Sequence, residues 1–327
     1  MRIPEPMYAT IAEAVPGGGD WTFEQKYDGM RVVAAVTARS TALVTRNGRD
    51  KRAQFPEVAA ALSELARDVG RPLVLDGEIV ALVRGRPAAF QALQSRLHRS
   101  RGIEAMVTSA PAAIVLFDLL RDGRADLMRL PLAERRARLE AIVGGAHKTV
   151  RLSESSSSGR RMIARAKRAG WEGVIAKRLD SRYVPGARSR DWVKLKLQHR
   201  AEFIVGGYTD PRSSREHFGA LLLGYFDRRG RLCYAGNMGG GFDRHSLEDV
   251  AAKLRPIARK RSPFADDVKA TGDVHWVAPK LVVEVKFAEW TSDGKLRQPI
   301  FLGLRDDKVA TDVHRERESI QQWAQEL

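Results

Sequence analysis

Only one cysteine, Cys233, is present among the 327 residues, and this scarcity excludes two kinds of site. One thiol cannot form an intramolecular disulfide, nor can it supply a four-thiolate zinc centre. No apolar run approaches the ~18 residues that a membrane-spanning helix needs. The amino-terminal segment, MRIPEPMYATIAEAVPGGGD, lacks the uninterrupted apolar stretch of a secretory signal. We therefore expect a cytoplasmic protein without disulfides, a zinc ribbon or a membrane anchor.

Negative charge is also in short supply, and the deficit is confined to one part of the chain. There are 56 Lys and Arg against 40 Asp and Glu, a formal net charge of +16. Residues 1–200 carry 36 basic and 21 acidic side chains, whereas residues 201–327 carry 20 and 19. Such an excess favours a polyanionic partner such as nucleic acid, because binding to phosphates releases counterions. Surface solubility or the arginine bias of a GC-rich genome is the alternative explanation.

The hydrophobic pattern of the first two thirds of the chain predicts a mixture of strands and helices. Residues 21–50 alternate as in a small β-meander, with a turn signal at Asn47 and Gly48. LVLDGEIVALV and AAIVLFDLL are typical of buried strands, and SESSSSG of a loop. Helices ending at a glycine are predicted for residues 55–69, 132–143 and 160–169.

After Lys196 the pattern changes to short strands and turns, with one helix near residues 246–260. Short strands around a single helix indicate a small β-barrel. The change of pattern coincides with the change of charge. We therefore predict a boundary near residue 197, with a first domain over 1–197 and a second over 198–327.

The segment EQKYDGMR, residues 24–31, holds the first candidate for covalent chemistry. Lys26 ends a predicted strand, and Asp28 and Gly29 turn the backbone after it. A lysine amine attacks only when neutral, so its reference pKa of ~10.4 must be lowered by desolvation or by nearby cations. The candidates for those cations are Arg31, Arg46, Lys194 and Lys196. A solvated lysine at a strand end is the alternative.

Six further blocks follow in order, and together with EQKYDGMR they resemble the motifs of one enzyme superfamily. They are TRNGRD, LDGEIV, VLFDLL, WEGVIAKR, DWVKLK and FLGLRDDK. The set is similar to that of the covalent nucleotidyltransferases, which comprise ATP-dependent DNA ligases, RNA ligases and messenger-RNA capping enzymes. The likeness is greatest to the ligase module of bacterial multifunctional end-joining ligases and covers nearly the whole chain. NAD-dependent bacterial ligases are disfavoured, because one cysteine cannot build their four-cysteine zinc module.

This resemblance implies both a fold and a reaction. The fold is α+β, with an ATP-grasp-like nucleotidyltransferase (adenylation) domain of antiparallel sheets and helices followed by a C-terminal OB-fold β-barrel. The nucleophile Lys26 takes AMP from ATP, the AMP passes to a DNA 5′-phosphate, and the 3′-hydroxyl then seals the strand. ATP and Mg²⁺ are the implied cofactors, with Mn²⁺ as the alternative metal. The implied DNA partner is a nicked or broken duplex. The protein is expected to be a nucleoid-associated monomer, with Ku or other repair proteins as further partners.

The resemblance also implies roles for residues around the nucleotide. Glu24 matches a position near the adenine, and Phe117 matches a residue that stacks on it, although an apolar strand residue is ordinarily core. Arg31 and Arg46 match contacts to nucleotide and to the 5′-phosphate of a nick. The carboxylates expected near ribose and Mg²⁺, an ion that prefers hard oxygen ligands, are Glu78 and Glu172.

Further cations are expected to neutralise the phosphates. Lys194 and Lys196 alternate along one strand and therefore share a face. Lys177 matches a lysine that binds phosphate or base, and Arg190 is a candidate contact to phosphate or DNA. On the barrel, the motif that swings over the ATP would orient pyrophosphate through Arg305 and Lys308. Asp76 and Asp118 are interpreted as turn or supporting residues.

Two other functions stay open, and one DNA contact is predicted. An RNA ligase or capping guanylyltransferase would share this chemistry, and a non-catalytic nucleic-acid-binding protein would share the scaffold. Because Lys26 lies close to the start of the sequence, we expect no DNA-encircling domain before it. We therefore expect the Arg-rich stretch 160–168 to line the DNA.

Overall fold

The computed structural model describes residues 3–12, 14–17, 20–97, 99, 101–144, 148–211, 216–270 and 272–315. Over these ranges the internal contacts divide into two compact units, one running to Gln198 and the other beginning at His199. Within the same ranges, no helix combines the length and the apolar character needed to cross a bilayer.

The described part of the first unit forms two sheets, of which the first carries the Lys26 strand. Its strand order is β1-β12-β11-β2-β10, antiparallel throughout except between β1 and β12. The strands are β1 (Tyr8–Ile11), β2 (Trp21–Lys26), β10 (Ser155–Ser156), β11 (Gly173–Arg178) and β12 (Arg188–Lys196).

The chain passes from the first sheet into the second after β2, because the next two strands, β3 and β4, pair with each other in the second sheet. Its main order is β4-β3-β5-β7-β8, with β6 beside β5 and β9 beside β7. The strands are β3 (Met30–Val36), β4 (Thr41–Thr45), β5 (Leu73–Val83), β6 (Arg86–Pro87), β7 (Ala112–Asp122), β8 (Ala125–Asp126) and β9 (Val150–Leu152).

The three predicted helices of this unit are confirmed within one residue. Pro56 starts the first, and Gly70 ends it with a left-handed φ of 74° that glycine adopts freely. The serine-rich stretch is not wholly a loop, since it contributes β10, and the Ser158 hydroxyl caps the helix that follows. The helices are α1 (Pro56–Val69), α2 (Gln94–Leu97), α3 (Ile103–Ser109), α4 (Leu132–Val143) and α5 (Gly159–Ala169).

The second unit is built around one curled sheet of order β15-β14-β13-β17-β16, with β20 also paired to β17. A bridge between Gly240, just after β15, and Ile300 on β20 joins the two edges of the sheet, so that it curls into a barrel. The elements are β13 (Arg200–Thr209), β14 (Leu221–Phe226), β15 (Leu232–Met238), α6 (Arg244–Leu254), β16 (Ala258–Arg259), β17 (Val274–Lys286), β18 (Glu289–Trp290), β19 (Leu296–Arg297) and β20 (Ile300–Leu304).

The helix expected near residues 246–260 is shorter than predicted. It ends at Leu254, and Pro256 lies in the 3₁₀ turn that follows. Proline has no backbone N–H to continue an α-helix. The rest of the predicted segment instead forms β16, which pairs with β17.

Candidate functional site

Alternation along three strands places five of the predicted site residues on one face of the first sheet. Phe23, Val174 and Leu195 pack with α5 in a common core cluster. Neighbours in a strand point to opposite faces, so residues one position away lie on the other side. That other face carries Glu24, Lys26, Lys177, Lys194 and Lys196.

Helix α5 therefore lies on the far side of the sheet from Lys26. Its buried residues, Met162 and Ile163, contact the face opposite the lysines. The exposed arginines of residues 160–168 point away from that packing. The expectation that this stretch lines the DNA stays a prediction; the helical spacing identified its basic face but did not fix which side of the sheet that face occupies.

Strand register brings Lys26 and Lys196 into one row. Gly173 on β11 pairs with Lys26 on β2 and with Lys196 on β12. Because glycine has no side chain, the residue between Lys26 and Lys196 in this row contributes only backbone. A methyl group at Gly173 would overlap the carbonyl oxygen of Leu195. The glycine of WEGVIAKR is thus required by the close approach of β12.

Replacing Gly173 with alanine is expected to lower the free energy of unfolding by ~2 kcal/mol or more, because β12 must shift to accept the methyl group. The row of lysines would shift with it. Chemical denaturation measures this loss. The control is Gly17→Ala, where nothing lies within 4 Å of the added atom, and equal stability of both variants would contradict the assignment.

Lys26 forms an ion pair with Glu172, the residue just before the start of β11. The lysine side chain is 22% exposed and the glutamate 8% exposed, so the lysine is partly accessible to solvent while its partner is buried. A lysine amine attacks only in its neutral form, so Lys26 must lose a proton before it can act as a nucleophile beside this carboxylate.

Glu24 is a buried carboxylate with two cations beside it. One oxygen, Oε2, accepts hydrogen bonds from the Lys177 ammonium at 2.9 Å and from the Ser153 hydroxyl at 3.0 Å. The other, Oε1, lies 3.8 Å from Nη1 of Arg136 on α4. Arg136 also donates to the Ser153 carbonyl oxygen. These partners supply the hydrogen bonds and opposite charge that a buried carboxylate requires.

Lys177 is buried between the two aromatic rings of the site. Its ammonium lies 4.3 Å from the ring centre of Phe117 and 4.4 Å from that of Trp192. Burial lowers the pKa of this lysine, although the charges of Glu24 and Asp118 oppose the shift. The side chain therefore belongs to the aromatic part of the site and is shielded from solvent.

This lowered pKa predicts a pH dependence of stability. A base whose pKa is lower in the folded state than in the unfolded state binds fewer protons when folded. The free energy of unfolding should therefore rise as the pH increases from the folded-state pKa of Lys177 towards its ordinary 10.5. Lys177→Met should flatten this part of the profile, measured by denaturation at several alkaline pH values. An unchanged slope would contradict the assignment.

Phe117 reaches this place because of a β-bulge. The pairing of β5 with β7 passes from Asp76 opposite Asp118 to Gly77 opposite Leu116, which leaves Phe117 as the extra residue. Bulges redirect side chains and are common beside active sites. The half-buried ring meets Trp192 edge to face, with 6.4 Å between ring centres. The bulge thus places an aromatic side chain of the second sheet against the face of the first sheet that carries the lysines.

Arg31 is held against the same rings by Asp76. Its Nε and Nη2 donate to the two carboxylate oxygens at 3.0 and 2.7 Å, and the Tyr183 hydroxyl donates to Asp76 at 2.7 Å. Burial by itself would lower the pKa of Arg31, but the Asp76 charge raises it above the ordinary value. Arg31 therefore stays charged, with Glu78 directly opposite on β5.

Arg46 and Arg190 lie towards the other end of β12 from Lys196. The Arg46 guanidinium lies 4.6 Å from the ring centre of Tyr8, which pairs with Arg188 at the start of β12. Arg190 is exposed two residues further along. These two predicted contacts are thus separated along the strand from the row that contains Lys26.

Arg305 and Lys308 belong to the second unit, where both bind carboxylates. Arg305 contacts Asp307 and Glu284, and Lys308 contacts Glu202. The sequence pattern FLGLRDDK located the turn but gave no sign of the two glutamates. They lie 103 and 21 residues before Arg305, on β13 and β17.

The two predicted metal ligands, Glu78 and Glu172, are carboxylates, the side chains that a hard cation such as Mg²⁺ prefers. Among the described residues, no three His, Cys, Asp or Glu side chains are grouped as a metal cluster. Mg²⁺ is commonly held by one or two carboxylates together with water and phosphate oxygens. Glu172 beside Lys26 and Glu78 beside Arg31 offer such carboxylates.

Structural comparison gives a likeness over nearly the whole chain. A mycobacterial DNA ligase D, solved in complex with ATP and MES, matches with a TM-score of 0.71 at 34% identity, covering 96% of this chain and 98% of that chain. The ligase domain of Mycobacterium tuberculosis LigD also matches, with a TM-score of 0.51 at 34% identity and the same coverage.

Sequence comparison points the same way. The multifunctional non-homologous end joining protein LigD of Pseudomonas aeruginosa is 42% identical over 95% of this chain, and its Mycobacterium tuberculosis counterpart is 36% identical over 95%. The chain spans 36% and 40% of the length of these relatives.

Two family models match almost end to end. The ATP dependent DNA ligase domain matches residues 6–196, and the ATP dependent DNA ligase C terminal region matches residues 214–308. The predicted fold class, a nucleotidyltransferase domain followed by a C-terminal domain with the curled sheet of an OB fold, is confirmed. The chain belongs to the ATP-dependent DNA ligase family.

Proposed function

We propose that this chain is an ATP-dependent DNA ligase that seals nicks and breaks through a covalent lysyl-AMP. The observation that carries the proposal is the shared face of the first sheet. There a lysine paired with a carboxylate lies in one row with a second lysine, and the same face carries Lys177 between the rings of Phe117 and Trp192. A nucleophilic amine, cations for phosphates and a flat surface for a base are what self-adenylation needs.

In the first step Nζ of Lys26 attacks the α-phosphate of ATP. The N–P bond forms as the bond from the α-phosphorus to the bridging oxygen of pyrophosphate breaks, and the amine gives up its proton. Lys194 and Lys196, on the same face, neutralise charge on the phosphates. Glu78 and Glu172 would hold Mg²⁺, or Mn²⁺ in its place, and a bound ion there neutralises further phosphate charge.

The base and sugar are assigned to the aromatic part of the site. Phe117 stacks on the adenine, while Glu24 and Lys177 border its edge. Arg31, fixed by Asp76, binds the nucleotide and later the 5′-phosphate of the nick. Binding by these fixed groups requires little reorganisation at the moment of reaction.

The later steps use DNA. The 5′-phosphate oxygen takes AMP from Lys26, and the 3′-hydroxyl then attacks the activated phosphate and releases AMP. Arg46 and Arg190 are assigned to backbone phosphates of the strand. We place adenylation in residues 1–197 and an OB-fold domain, with Arg305 and Lys308 orienting pyrophosphate, in residues 198–327. The proposed setting is end joining or excision repair at the nucleoid, with Ku as an end-binding partner.

The test is incubation with α-labelled ATP or GTP and Mg²⁺, followed by denaturing electrophoresis and a chase with nicked DNA or nicked RNA. Label from ATP that is discharged into sealed DNA is the expected result. Label from GTP would identify a capping-type enzyme, and sealing of RNA alone an RNA ligase. A folded protein, purified free of AMP, that takes no label would be a binding protein.

A further inference from the structure

The turn that carries Arg305 and Lys308 rests on two carboxylates from neighbouring strands. Glu202 on β13 is directly opposite Glu284 on β17, and Glu284 is in turn opposite Gly303 on β20. Like charges directly across a strand pair are destabilising. The two glutamates therefore form an acidic seat that requires cations, and the turn after β20 supplies them.

Arg305 is fixed in this seat by several hydrogen bonds. Its Nε and Nη2 donate to the two oxygens of Asp307, both at 2.8 Å, and Nη1 donates to Glu284 at 3.0 Å. The side chain is 10% exposed. Withdrawing a buried guanidinium from such partners leaves buried carboxylates uncompensated, which is strongly unfavourable. Arg305 thus holds the shape of the turn.

Lys308 is bound much more loosely. Its ammonium lies 3.0 Å from Glu202, and the two side chains are 25% and 33% exposed. Ion pairs with this much solvent contact are weak and screened by salt. Of the two cations of the turn, Lys308 is therefore the one that can exchange its carboxylate for another anion at little cost.

The local charge shows why that exchange matters. The turn itself is neutral, since Arg305 and Lys308 are balanced by Asp306 and Asp307. Glu202 and Glu284 add two negative charges beside it, and the cations Arg200 and Lys286 lie opposite each other further along the same two strands. The Glu202 carboxylate competes with a polyphosphate for Lys308, so Lys308 binds a polyphosphate only to the extent that it is released from Glu202.

We infer that Glu202 is a positioning residue that holds Lys308 on the second unit and yields it to a polyphosphate, while Arg305 fixes the turn. The inference rests on the proposed function, because the polyphosphate is then that of ATP or its pyrophosphate product. It adds a competing partner for Lys308 and separates the roles of the two motif cations.

Glu202→Gln tests this inference, since it removes the charge and keeps the size. We expect the KM for ATP in self-adenylation to fall about 2–5-fold at low salt with little change in kcat, and the difference to shrink at high salt. The Kd of Mg²⁺-pyrophosphate, measured by calorimetry, should fall similarly. The control is Glu289→Gln, which removes the same charge from an exposed pair with Arg297 in the same unit and should change neither value.

The same calorimetry in a Lys308→Met background decides between coupling and bulk charge. If Glu202 acts through Lys308, Glu202→Gln should no longer tighten pyrophosphate binding there. An equal tightening in that background, or no tightening in the parent chain, would overturn the inference. A parent chain that binds pyrophosphate as expected but forms no lysyl-AMP would count against the proposed function and leave the binding comparison decisive.

Discussion

Lys26→Ala is expected to abolish lysyl-AMP formation and the sealing of unactivated nicks, lowering both by ~10⁴-fold or more. We expect no other lysine of the site to take over, because Lys194 and Lys196 lie on a strand that is separated from β2 by β11. Lys177 is buried between two aromatic rings and hydrogen-bonded to Glu24. The measurement is label transfer from α-labelled ATP. Sealing of a nick that already carries AMP tests whether the variant still binds DNA.

Two matched variants separate nucleophilicity from charge. Lys26→Arg keeps the cation next to Glu172, but a guanidinium does not lose its proton under these conditions, so it should be as inactive as alanine. Lys167→Ala removes a lysine from α5, on the far side of the sheet, and should retain label transfer within about 2-fold. Substantial label on either Lys26 variant would show that another residue is the nucleophile.

Arg135→Met is expected to cause the largest loss of stability, ~3–5 kcal/mol in the free energy of unfolding. Arg135 and Asp118 are fully buried, and the guanidinium donates to both carboxylate oxygens at 2.8 Å. It also donates to the carbonyl oxygens of Leu130 and Ser181 at 2.6 and 2.9 Å. Methionine would leave a buried carboxylate without its guanidinium partner and would remove one hydrogen bond from each of the two carbonyl groups.

The control is Arg138→Met on the exposed side of the same helix, which should change stability by no more than ~0.5 kcal/mol. Since Asp118 follows Phe117 in the bulge, label transfer at a temperature where Arg135→Met is still folded should also fall. Urea denaturation gives both free energies. A loss below ~1 kcal/mol for Arg135→Met would mean that the pair does not support the bulge.

Local elements were predictable where local rules determine them. Helix α4 and strand β5 have the predicted bounds, because apolar spacing and a following glycine define the helix, and a continuous apolar run defines a strand buried on both faces. The helix after residue 244 was predicted too long because Pro256, two residues after Leu254, cannot donate the backbone hydrogen bond that would continue the helix. The residue types thus predicted which helices and strands form, but not where each of them ends.

The site could be predicted only in part, since its geometry depends on long-range pairing. Motif spacing identified Lys26 and Phe117, yet the bulge that places Phe117 arises from the register of β5 against β7. Arg136 reaches Glu24 from 112 residues away, and Tyr183 reaches Asp76 from 107 residues away. Neither contact could be predicted from the local sequence, because a buried arginine or tyrosine is identified only by the residues that it contacts in the fold.

Locating the AMP on the protein tests the central claim most directly. The chain would be incubated with ATP and Mg²⁺, digested at acidic residues and analysed by mass spectrometry for a peptide carrying AMP. We expect a single modified peptide that contains Lys26, with the AMP on its side-chain nitrogen and released when nicked DNA is added. AMP on Lys177, Lys194 or Lys196, or on a peptide without Lys26, would contradict it.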